Sequence, residues 1–600
     1  MITPMTRYSF LIYHKEYNDF LQKLQDIGVL HIAEKADEYD EETRQTLEDI
    51  KKLNDTIRFL EKKGQEENPA DDGTQPFDIV RDIKEKQDEI ANIEQELVAL
   101  RKDINKAHPW GDFTDEMKQK LKELNLTPRF FVINEKYFDS DWENQYYLER
   151  VNNISGNLYF VILQEGDQEI NIEAEEVRLP DQSLSELDRR YDEKEKRIQE
   201  INRIFDEYAE KYLELLRNER KQLQEKTDFN QALNHTEAQA EDKVMLLEGW
   251  VPEDKEEELK AFLEKENVLY VSSDVKSEDP YQVPIQLKNS KFARVFEPLQ
   301  KMINLPNYYE LDLTPFFAPF FALFFGFCLG DVGYGIVILA AVTIYKHTKA
   351  KPGMKIYLTM AQYLGAATVL MGIIGGTVFG ISLTDIDWAS QVRNVILDRN
   401  QLFYASLGLG ILQILFGLIL KAYRLWKFSG FPYSLSTWGW VLALLSLVFY
   451  MGGDQLGWFT QSVAKPYFNG ALIFSGVLIF LFSDPKLNIF ARLGKGVWDA
   501  YNTVTGVFGD VLSYIRLFAI GISTAILGFV INEIALTFGQ IPYVGPVVFI
   551  LILVIGHIGN LLISSLSAFV HPMRLTFVEF YNNAGFTGGG KKYKPFTKSL

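Results

Sequence analysis

The sequence predicts an α-helical membrane protein with about eight transmembrane helices, the last two long, joined to an α+β domain outside the membrane. Two observations support this fold class. Charged residues are dense up to about Asp312, and beyond it they form short clusters between long runs of Phe, Leu, Ile, Gly and Ala. Before that point, α/β patterns alternate with helices of coiled-coil spacing. We therefore expect a water-exposed domain over residues 1–300 and a transmembrane domain over residues 301–600.

The composition narrows the function and the compartment. The chain has 600 residues and a formal net charge of −19, and no basic face indicates a nucleic-acid partner. Cys328 is the one cysteine, which excludes an internal disulfide. The N-terminus has no basic region followed by an apolar stretch. We therefore expect no secretory signal and a cytoplasmic exposed domain.

The exposed domain begins with half of a small α/β lobe. Strand, helix and strand patterns cover residues 8–13, 17–27 and 29–33, and a similar unit returns over residues 244–251, 256–265 and 268–272. Strand patterns over residues 129–134 and 156–179 predict a second mixed lobe.

Long helices separate these lobe segments. Apolar spacings of three and four define two seams, Ile83, Lys86, Ile90, Ile93, Leu97, Leu100 and Ile104, and Leu184, Leu187, Tyr191, Lys194, Ile198, Ile201, Phe205, Tyr208, Tyr212 and Leu215. A third helix over residues 47–60 has the same character, and a Gly/Pro/Asp-rich turn over residues 64–76 follows it. The predicted architecture is a long antiparallel coiled coil with an α/β lobe at each end.

This rod spans distance, and its sequence does not cluster His, Cys or carboxylates as a catalytic or metal site would. We interpret it as a mechanical or docking element. The alternative is that its charge runs form only a solvated helix face.

The membrane domain contains eight predicted spans. They cover residues 315–329, 332–345, 356–381, 402–423, 435–451, 467–482, 497–534 and 544–580. The first two are short, and Gly326, Gly330, Gly333 and Gly335 indicate a closely packed hairpin because small residues let membrane helices approach each other.

Lysine and arginine cluster in alternate loops. The loops after spans two, four and six contain Lys346, Lys349, Lys351, Lys355, Lys421, Arg424, Lys427, Lys486, Arg492 and Lys495. The other loops contain Asp385, Asp387, Asp398, Asp454 and Glu533. Since positive loops stay inside, both termini are expected in the cytoplasm of a multi-pass protein.

Arg516 stands in the middle of span seven, in the otherwise apolar segment LSYIRLFAIG. A charge near the bilayer centre costs roughly 2.5–3.5 kcal/mol on insertion scales, so such a residue indicates a partner or an ion path. The alternative is an arginine that extends to the membrane interface, but the mid-helix position argues against it.

Span eight contains a polar stripe. Asn560, Ser564, Ser567, His571 and Arg574 share one helical face. The candidate ion-path residues are Arg516, Ser513, His557, Asn560, Ser564, His571, Arg574 and Glu579. Each polar residue of the stripe also has a weaker interpretation, because serine often bonds to its own helix and a lone histidine is usually a packing residue.

The segment GFTGGGKK, residues 585–592, nearly spells a phosphate-binding loop. That loop needs a preceding strand, a following helix and a hydroxyl residue after the lysine, whereas this segment follows a membrane helix and has Lys592 at the hydroxyl position. We therefore reject a nucleotide site here, expect no cofactor, and expect any ATP hydrolysis to occur on another chain.

Four sequence blocks resemble a known family. They are FFGFCLGDVGYG at residues 324–335, LSYIRL at 512–517, SAFVHPMRL at 567–575 leading into FVEF, and EGWVP at 248–252. In their order along the chain they resemble subunit a, called subunit I in bacteria and archaea, of the V/A-type rotary ATPases, and the resemblance covers essentially the whole chain.

The resemblance implies a stator and ion-channel subunit in a prokaryotic cell membrane. Its implied partners are a rotor ring of small membrane subunits bearing an ion-binding carboxylate, peripheral-stalk heterodimers, the catalytic head with its central stalk, and the lipid bilayer. Arg516 and Arg574 match the family's two intramembrane arginines. The resemblance also implies two offset half-channels for protons or sodium ions, and a non-catalytic role for this chain.

Two positions depart from the pattern of eukaryotic members. Thr524 replaces a histidine eight residues after the first arginine, and Ser564 replaces a glutamate seven residues before the histidine of the last span. The groups that line the outer half-channel are therefore left open, together with the choice between proton and sodium.

Two other functions compete with this one. A self-contained secondary transporter needs inverted repeats around broken helices, and spans one to four show no convincing repeat in spans five to eight. A membrane-anchored coiled-coil protein for adhesion or signalling has no need of Arg516 and Arg574.

Overall fold

The computed structural model describes residues 1–33, 41–63, 73–166, 170–234, 236–239, 243–275, 282–348, 352–382, 398–455 and 461–598. The chain divides into two compact units. The first comprises Met1–Ala33 and Thr236–Thr597, and the second comprises Glu34–His235 and Lys598–Leu600. The first unit therefore contains both the amino-terminal strands and all of the predicted membrane spans.

The described chain is mostly helical. The strands are β1 (Met5–Tyr13), β2 (His31–Ile32), β3 (Leu126–Asn134), β4 (Leu148–Ile154), β5 (Asn157–Glu165), β6 (Glu175–Val177), β7 (Glu237–Gln239), β8 (Val244–Pro252), β9 (Leu269–Asp274), β10 (Pro284–Ile285), β11 (Thr377–Val378), β12 (Ile381–Ser382) and β13 (Lys591–Lys592).

Helices make up most of the described chain and are numbered here in chain order. They are α1 (Tyr17–Ile27), α2 (Glu41–Glu61), α3 (Pro76–Ala107), α4 (Asp115–Glu123), α5 (Trp142–Gln145), α6 (Leu184–Asn234), α7 (Glu256–Glu266), α8 (Lys291–Lys301), α9 (Thr314–Leu329), α10 (Val332–Thr348), α11 (Lys355–Gly375), α12 (Arg399–Ser429), α13 (Phe431–Gln455), α14 (Gln461–Leu481), α15 (Ile489–Gly539), α16 (Gly545–Arg574) and α17 (Tyr581–Ala584). A π-helical segment, Leu575–Phe580, joins α16 to α17.

The two distant strand–helix–strand patterns interleave in one sheet. The strand order is β2-β8-β1-β9, with β7 beside β8, and β1 pairs antiparallel with both β8 and β9. Tyr8 and Phe10 of β1, Leu24 of α1 and Leu259 of α7 are all fully buried, and the Phe10 ring lies 5.9 Å from that of Phe20 on α1. The predicted elements are confirmed, except that β2 is shorter than the predicted residues 29–33. Two carbonyls there bond to the chain's end instead, because Val29 accepts from the Tyr593 hydroxyl and Leu30 accepts from the Phe596 amide.

The second unit contains the rod. Helices α2 and α3 lie one after the other along α6, and both run antiparallel to it. Ion pairs join Glu61 to Arg217 and Glu89 to Arg197. Apolar side chains fill the seam between the helices, including Ile83, Ile93, Leu100, Ile201 and Phe205. The antiparallel pairing is confirmed, whereas coiled-coil supercoiling and the position of a lobe at each end stay predictions.

The second lobe also lies in this unit. Its four-stranded antiparallel sheet has the order β4-β5-β3-β6 around a core of Phe131, Leu158, Phe160 and Ile162. The sequence did not predict β4. Its segment LERVNNI is exposed beyond the half-buried Leu148, so it lacks the alternation of apolar residues that reveals a half-buried strand.

The membrane part has helices at all eight predicted positions. Six of them, α11 to α16, are long and apolar enough to cross a membrane among the described residues. Helices α9 and α10 are apolar but have 16 and 17 residues. At 1.5 Å per residue they extend about 25 Å, less than the roughly 30 Å of a bilayer core. The number of crossings therefore stays a prediction.

Helix α9 lies at the centre of the first unit's membrane part. Its side chains include fully buried Phe317, Phe321 and Phe324. A methyl group on Gly326 would lie 2.5 Å from the Ala367 carbonyl oxygen, and one on Gly521 would lie 2.7 Å from that of Phe327. Small residues thus allow close packing of α9 with α11 and α15. The predicted hairpin of spans one and two is wrong, because α9 and α10 both pack against α11 and not closely against each other.

Candidate functional site

Helix α15 presents Arg516 near the middle of its 51 residues. Tyr514 and Leu517 are fully buried, and the Tyr514 hydroxyl donates to Oε1 of Gln413 on α12 at 2.7 Å. These contacts fix the rotation of α15. Asp510, Ser513 and Arg516 then follow one another at three-residue spacing along a neighbouring ridge of the helix.

The Arg516 guanidinium is half-buried and incompletely paired. Its Nη1 atom is buried and has no hydrogen-bond partner among the described residues. A buried donor without an acceptor costs about 1–3 kcal/mol, and more when it is charged. The described part of the chain therefore leaves part of the Arg516 charge uncompensated.

The last membrane helix changes its winding directly after Arg574. Residues Leu575–Phe580 are π-helical, so the predicted single span over residues 544–580 consists of α16 and this wider segment. The π-helical segment contains Glu579, five residues after Arg574. The Arg574 Nε lies 4.0 Å from the Glu579 Oε1, with exposed side-chain fractions of 59% and 3%. π-Helical segments inside α-helices occur frequently at functional sites.

Glu579 has a second oxygen, Oε2, that is buried and has no hydrogen-bond partner in the described structure. Ser513 lies within hydrogen-bonding reach of this carboxylate, and its hydroxyl also has the Gly509 carbonyl as an acceptor at 3.1 Å. Among the residues that the structure describes, the Arg516 Nη1 is thus an unpaired donor and the Glu579 Oε2 an unpaired acceptor.

Asp510 is a functional candidate that the sequence analysis missed. The Asn583 side-chain nitrogen donates to Oδ2 of Asp510 at 2.6 Å and to the Glu579 backbone oxygen at 2.7 Å. Asn583 therefore ties α15 to the π-helical segment. The three-residue spacing from Asp510 to Ser513 and Arg516 is the sequence signal that points to it.

A separate polar chain lies nearer the other end of α15 and α16. Ser564 donates to the Asn560 Oδ1 at 2.9 Å, and the Asn560 Nδ2 donates to the Tyr334 hydroxyl at 2.8 Å. The Tyr334 hydroxyl lies 2.8 Å from Nδ1 of His557, and Nε2 of His557 lies 3.0 Å from Oδ1 of Asn532. Because the tyrosine oxygen already accepts from Asn560, its proton is available to His557.

Two neighbouring residues, Thr524 and Asp331, hold members of this polar hydrogen-bonded chain in position. The Asn560 Nδ2 also lies 3.2 Å from the Thr524 carbonyl oxygen, and the Thr524 hydroxyl donates back to Ile520 at 3.0 Å. Buried Asp331 accepts from the backbone nitrogens of Tyr334, Phe379 and Gly380 at 2.9–3.1 Å. Asp331 thereby holds the start of α10, and with it Tyr334, in place.

The structure divides the predicted polar stripe between two sites. His557, Asn560 and Ser564 belong to the polar chain with Tyr334, whereas Arg574 lies near Glu579, which also neighbours Asp510. His571 is half-buried between these groups on α16 and makes no side-chain hydrogen bond to the described residues. Its nearest charged neighbours include Arg516 and Arg574.

The glycine-rich segment that resembled a phosphate-binding loop surrounds a carboxylate of the chain itself. Oxygens of the buried Glu310 accept from the Thr587 nitrogen at 2.6 Å and from the Gly588 nitrogen at 3.1 Å. The Arg424 Nη1 lies 3.4 Å from the same carboxylate and also donates to the Gly585 carbonyl. Successive backbone amides form an anion-binding concavity, and here Glu310 fills it.

The amino-acid sequence is similar to proteins of a known family. The V-type ATPase 116kDa subunit family matches residues 165–380. The V-type ATP synthase subunit I of Borreliella burgdorferi is 25% identical over 100% of both chains. The resemblance to subunit I is confirmed.

Other relatives have the same name. The V-type ATP synthase subunit I 1 of Treponema pallidum is 23% identical over 99% of this chain and 100% of its own length. The A-type ATP synthase subunit I of Pyrococcus abyssi is 29% identical over 74% of this chain and 67% of its own length. The chain is thus a relative of subunit I of the V- and A-type ATP synthases, with helices suited to a membrane subunit.

Proposed function

We propose that this subunit I relative is the stator and ion-channel subunit of a membrane-embedded rotary ATPase. In this role it supplies a fixed charge and two half-channels to a rotor ring, and anchors the peripheral stalks that hold the catalytic head. It performs no ATP hydrolysis itself. Both termini and the rod face the cytoplasm, as the loop charges predict.

One observation carries the proposal, namely the buried and unpaired Nη1 of Arg516 at the middle of α15. A charge that the described chain does not fully pair needs an external partner, and a carboxylate on a rotor subunit has the right sign. Two unit charges 4 Å apart attract by about 4 kcal/mol at an effective dielectric constant of about 20. This attraction favours the ionised rotor carboxylate, so an arriving subunit must release its proton or sodium ion.

The two polar sites suit the two half-channels. The chain from Ser564 to His557 and Asn532 provides hydrogen-bonding groups toward the outer side. Arg574 and Glu579 provide charged groups toward the cytoplasmic side. Arg516 separates the two and blocks direct leakage of cations between them.

The outer site suggests why Thr524 and Ser564 are tolerated. Ser564 bonds into the polar chain through its hydroxyl and Thr524 only through its backbone carbonyl, and the polar chain contains Tyr334 and His557 as its titratable members. We infer that Tyr334 and His557 take the place of the histidine and glutamate of the eukaryotic pattern as the hydrogen-bonding groups of the outer path.

The test is ATP-driven ion uptake in vesicles that contain the reconstituted complex, measured beside ATPase activity. Arg516→Ala should abolish uptake while the complex assembles and the head keeps some ATP hydrolysis. Arg516→Lys should fail nearly as badly, because a desolvated lysine can lose its proton and lacks the planar guanidinium. Arg574→Ala should be milder, since most of that side chain is exposed.

A matched control uses Arg492 on the same helix. Its guanidinium already donates to the Leu487 carbonyl at 2.7 Å, so Arg492→Gln should leave uptake close to wild type. Wild-type uptake by fully assembled Arg516→Ala would reduce Arg516 to a packing residue and refute the proposal.

A further inference from the structure

We propose that Asp510 is a second carboxylate of the cytoplasmic ion path, held in position by Asn583. This inference rests on the proposed function. Asp510 stands six residues before Arg516, which places it about 9 Å along the helix axis toward the cytoplasmic end in the predicted orientation. Asp510 is not among the ion-path residues that the sequence analysis predicted.

The first supporting observation is the bridge that Asn583 forms. Both amide hydrogens of Asn583 have an acceptor, one at Asp510 Oδ2 (2.6 Å) and one at the Glu579 backbone oxygen (2.7 Å). The bridge therefore fixes the Asp510 carboxylate against the segment that contains Glu579, and Asn583 has no further hydrogen for the Glu579 side chain.

The second observation is the state of that side chain. Glu579 is 3% exposed, and its Oε2 has no hydrogen-bond donor in the described part of the chain. A buried carboxylate oxygen needs a donor, a cation or a proton. With Asp510 beside it, the site offers two carboxylates on either side of Asn583, and a passing proton or sodium ion would supply the missing partner.

A purely structural role for Asp510 predicts a different outcome. If Asp510 only receives a hydrogen bond from Asn583, an asparagine at position 510 keeps an acceptor oxygen and loses only the charge. Asp510→Asn therefore separates the ion-path role from the packing role.

The experiment uses the whole reconstituted complex and varies the concentration of the transported ion on the ATP-containing, cytoplasmic side. A fixed charge about 10 Å from a passing cation, at an effective dielectric constant of about 20, changes local cation occupancy by somewhat more than one order of magnitude. Asp510→Asn should raise the half-saturating ion concentration about tenfold, with a smaller change in the maximal uptake rate. Asp510→Glu should restore most of the affinity.

Asp484 provides the matched control, because it lies in the loop before α15 and already pairs with Lys495 of that helix at 2.8 Å. Asp484→Asn should leave the half-saturating concentration unchanged. An assembled Asp510→Asn complex with wild-type ion affinity would overturn the inference, even if Arg516→Ala still abolishes uptake. Wild-type uptake by both the Asp510→Asn and the Arg516→Ala complexes would instead refute the proposed function.

A second variant covers failure of Asp510→Asn to assemble. In a chain with Cys328 replaced by alanine, Asp510→Cys should be modified from the cytoplasmic side by small charged thiol reagents. A negatively charged adduct should recover ion affinity and a positively charged adduct should not. Equal responses to both adducts, or no modification from the cytoplasmic side, would overturn the inference.

Discussion

Glu310 holds the glycine-rich segment that follows the last membrane helix, and Glu310→Ala is expected to release this segment. Its carboxylate accepts from the backbone nitrogens of Thr587, Gly588 and Asn307 at 2.6, 3.1 and 3.0 Å. It also pairs with Arg424, and the two side chains are 3% and 20% exposed. Alanine at position 310 removes all of these acceptors at once.

The magnitude follows from the number of bonds. Hydrogen bonds to a charged group contribute about 1.5–3 kcal/mol each, and removing one partner of a buried ion pair costs about 3–5 kcal/mol. Because the three amides partly regain water when the segment opens, we take about 4 kcal/mol for the local opening free energy. That value corresponds to roughly a thousandfold more frequent opening.

Hydrogen exchange measured by mass spectrometry on the detergent-solubilised protein checks this value. Peptides that cover residues 585–597 should lose protection, including the amides of Gly590, Tyr593 and Phe596, which bond to Leu305, Ile285 and Leu30. Peptides from α9 and α15 should change little. Glu310→Gln keeps one acceptor oxygen and should have an intermediate effect.

The control replaces a more exposed carboxylate in the same unit. Glu266 pairs with Lys23 and is 25% exposed, so Glu266→Ala should not alter exchange in residues 585–597. If Glu310→Ala changed exchange in that segment by less than about threefold, the hydrogen bonds to Glu310 would not be what holds it.

Two further predictions concern topology and folding. Single cysteines in a chain with Cys328 replaced should react with a membrane-impermeant reagent outside intact cells at positions 387 and 533, but not at 349 or 486, because Lys and Arg cluster in alternate loops; labelling of position 486 from outside would overturn this orientation. Residues 41–234 should fold alone and unfold cooperatively by circular dichroism, because their apolar clusters lie within the same compact unit; a fragment without helical signal would contradict this, and calorimetry should show no ATP binding.

The sequence predicted most of the elements because their signals are local. Apolar runs located helices at all eight predicted span positions, and spacings of three and four located the seam residues of α3 and α6. The missed strand β4 shows the limit of this approach. Its side chains are almost all exposed, so its sequence does not alternate apolar and polar residues as a half-buried strand does.

The site was predicted in part for the same reason. A charge such as Arg516 in an apolar segment is visible without coordinates, since its cost in the membrane is a property of the residue and its neighbours. Asp510 was not visible in this way because it stands nearer the helix start, and its importance depends on Asn583, which lies 73 residues away.

The sequence by itself determined the division into charged and apolar halves and the positions of the long helices, and it singled out Arg516 and Arg574 as charges in apolar helices. Only the tertiary structure decided that two segments more than 200 residues apart share one sheet, and that the polar residues of span eight fall into two separate groups of contacts. It also decided that a loop resembling a phosphate site binds Glu310. Hydropathy and spacing are properties of neighbours along the chain, whereas hydrogen-bond partners and helix rotation depend on which distant surfaces the packing brings together.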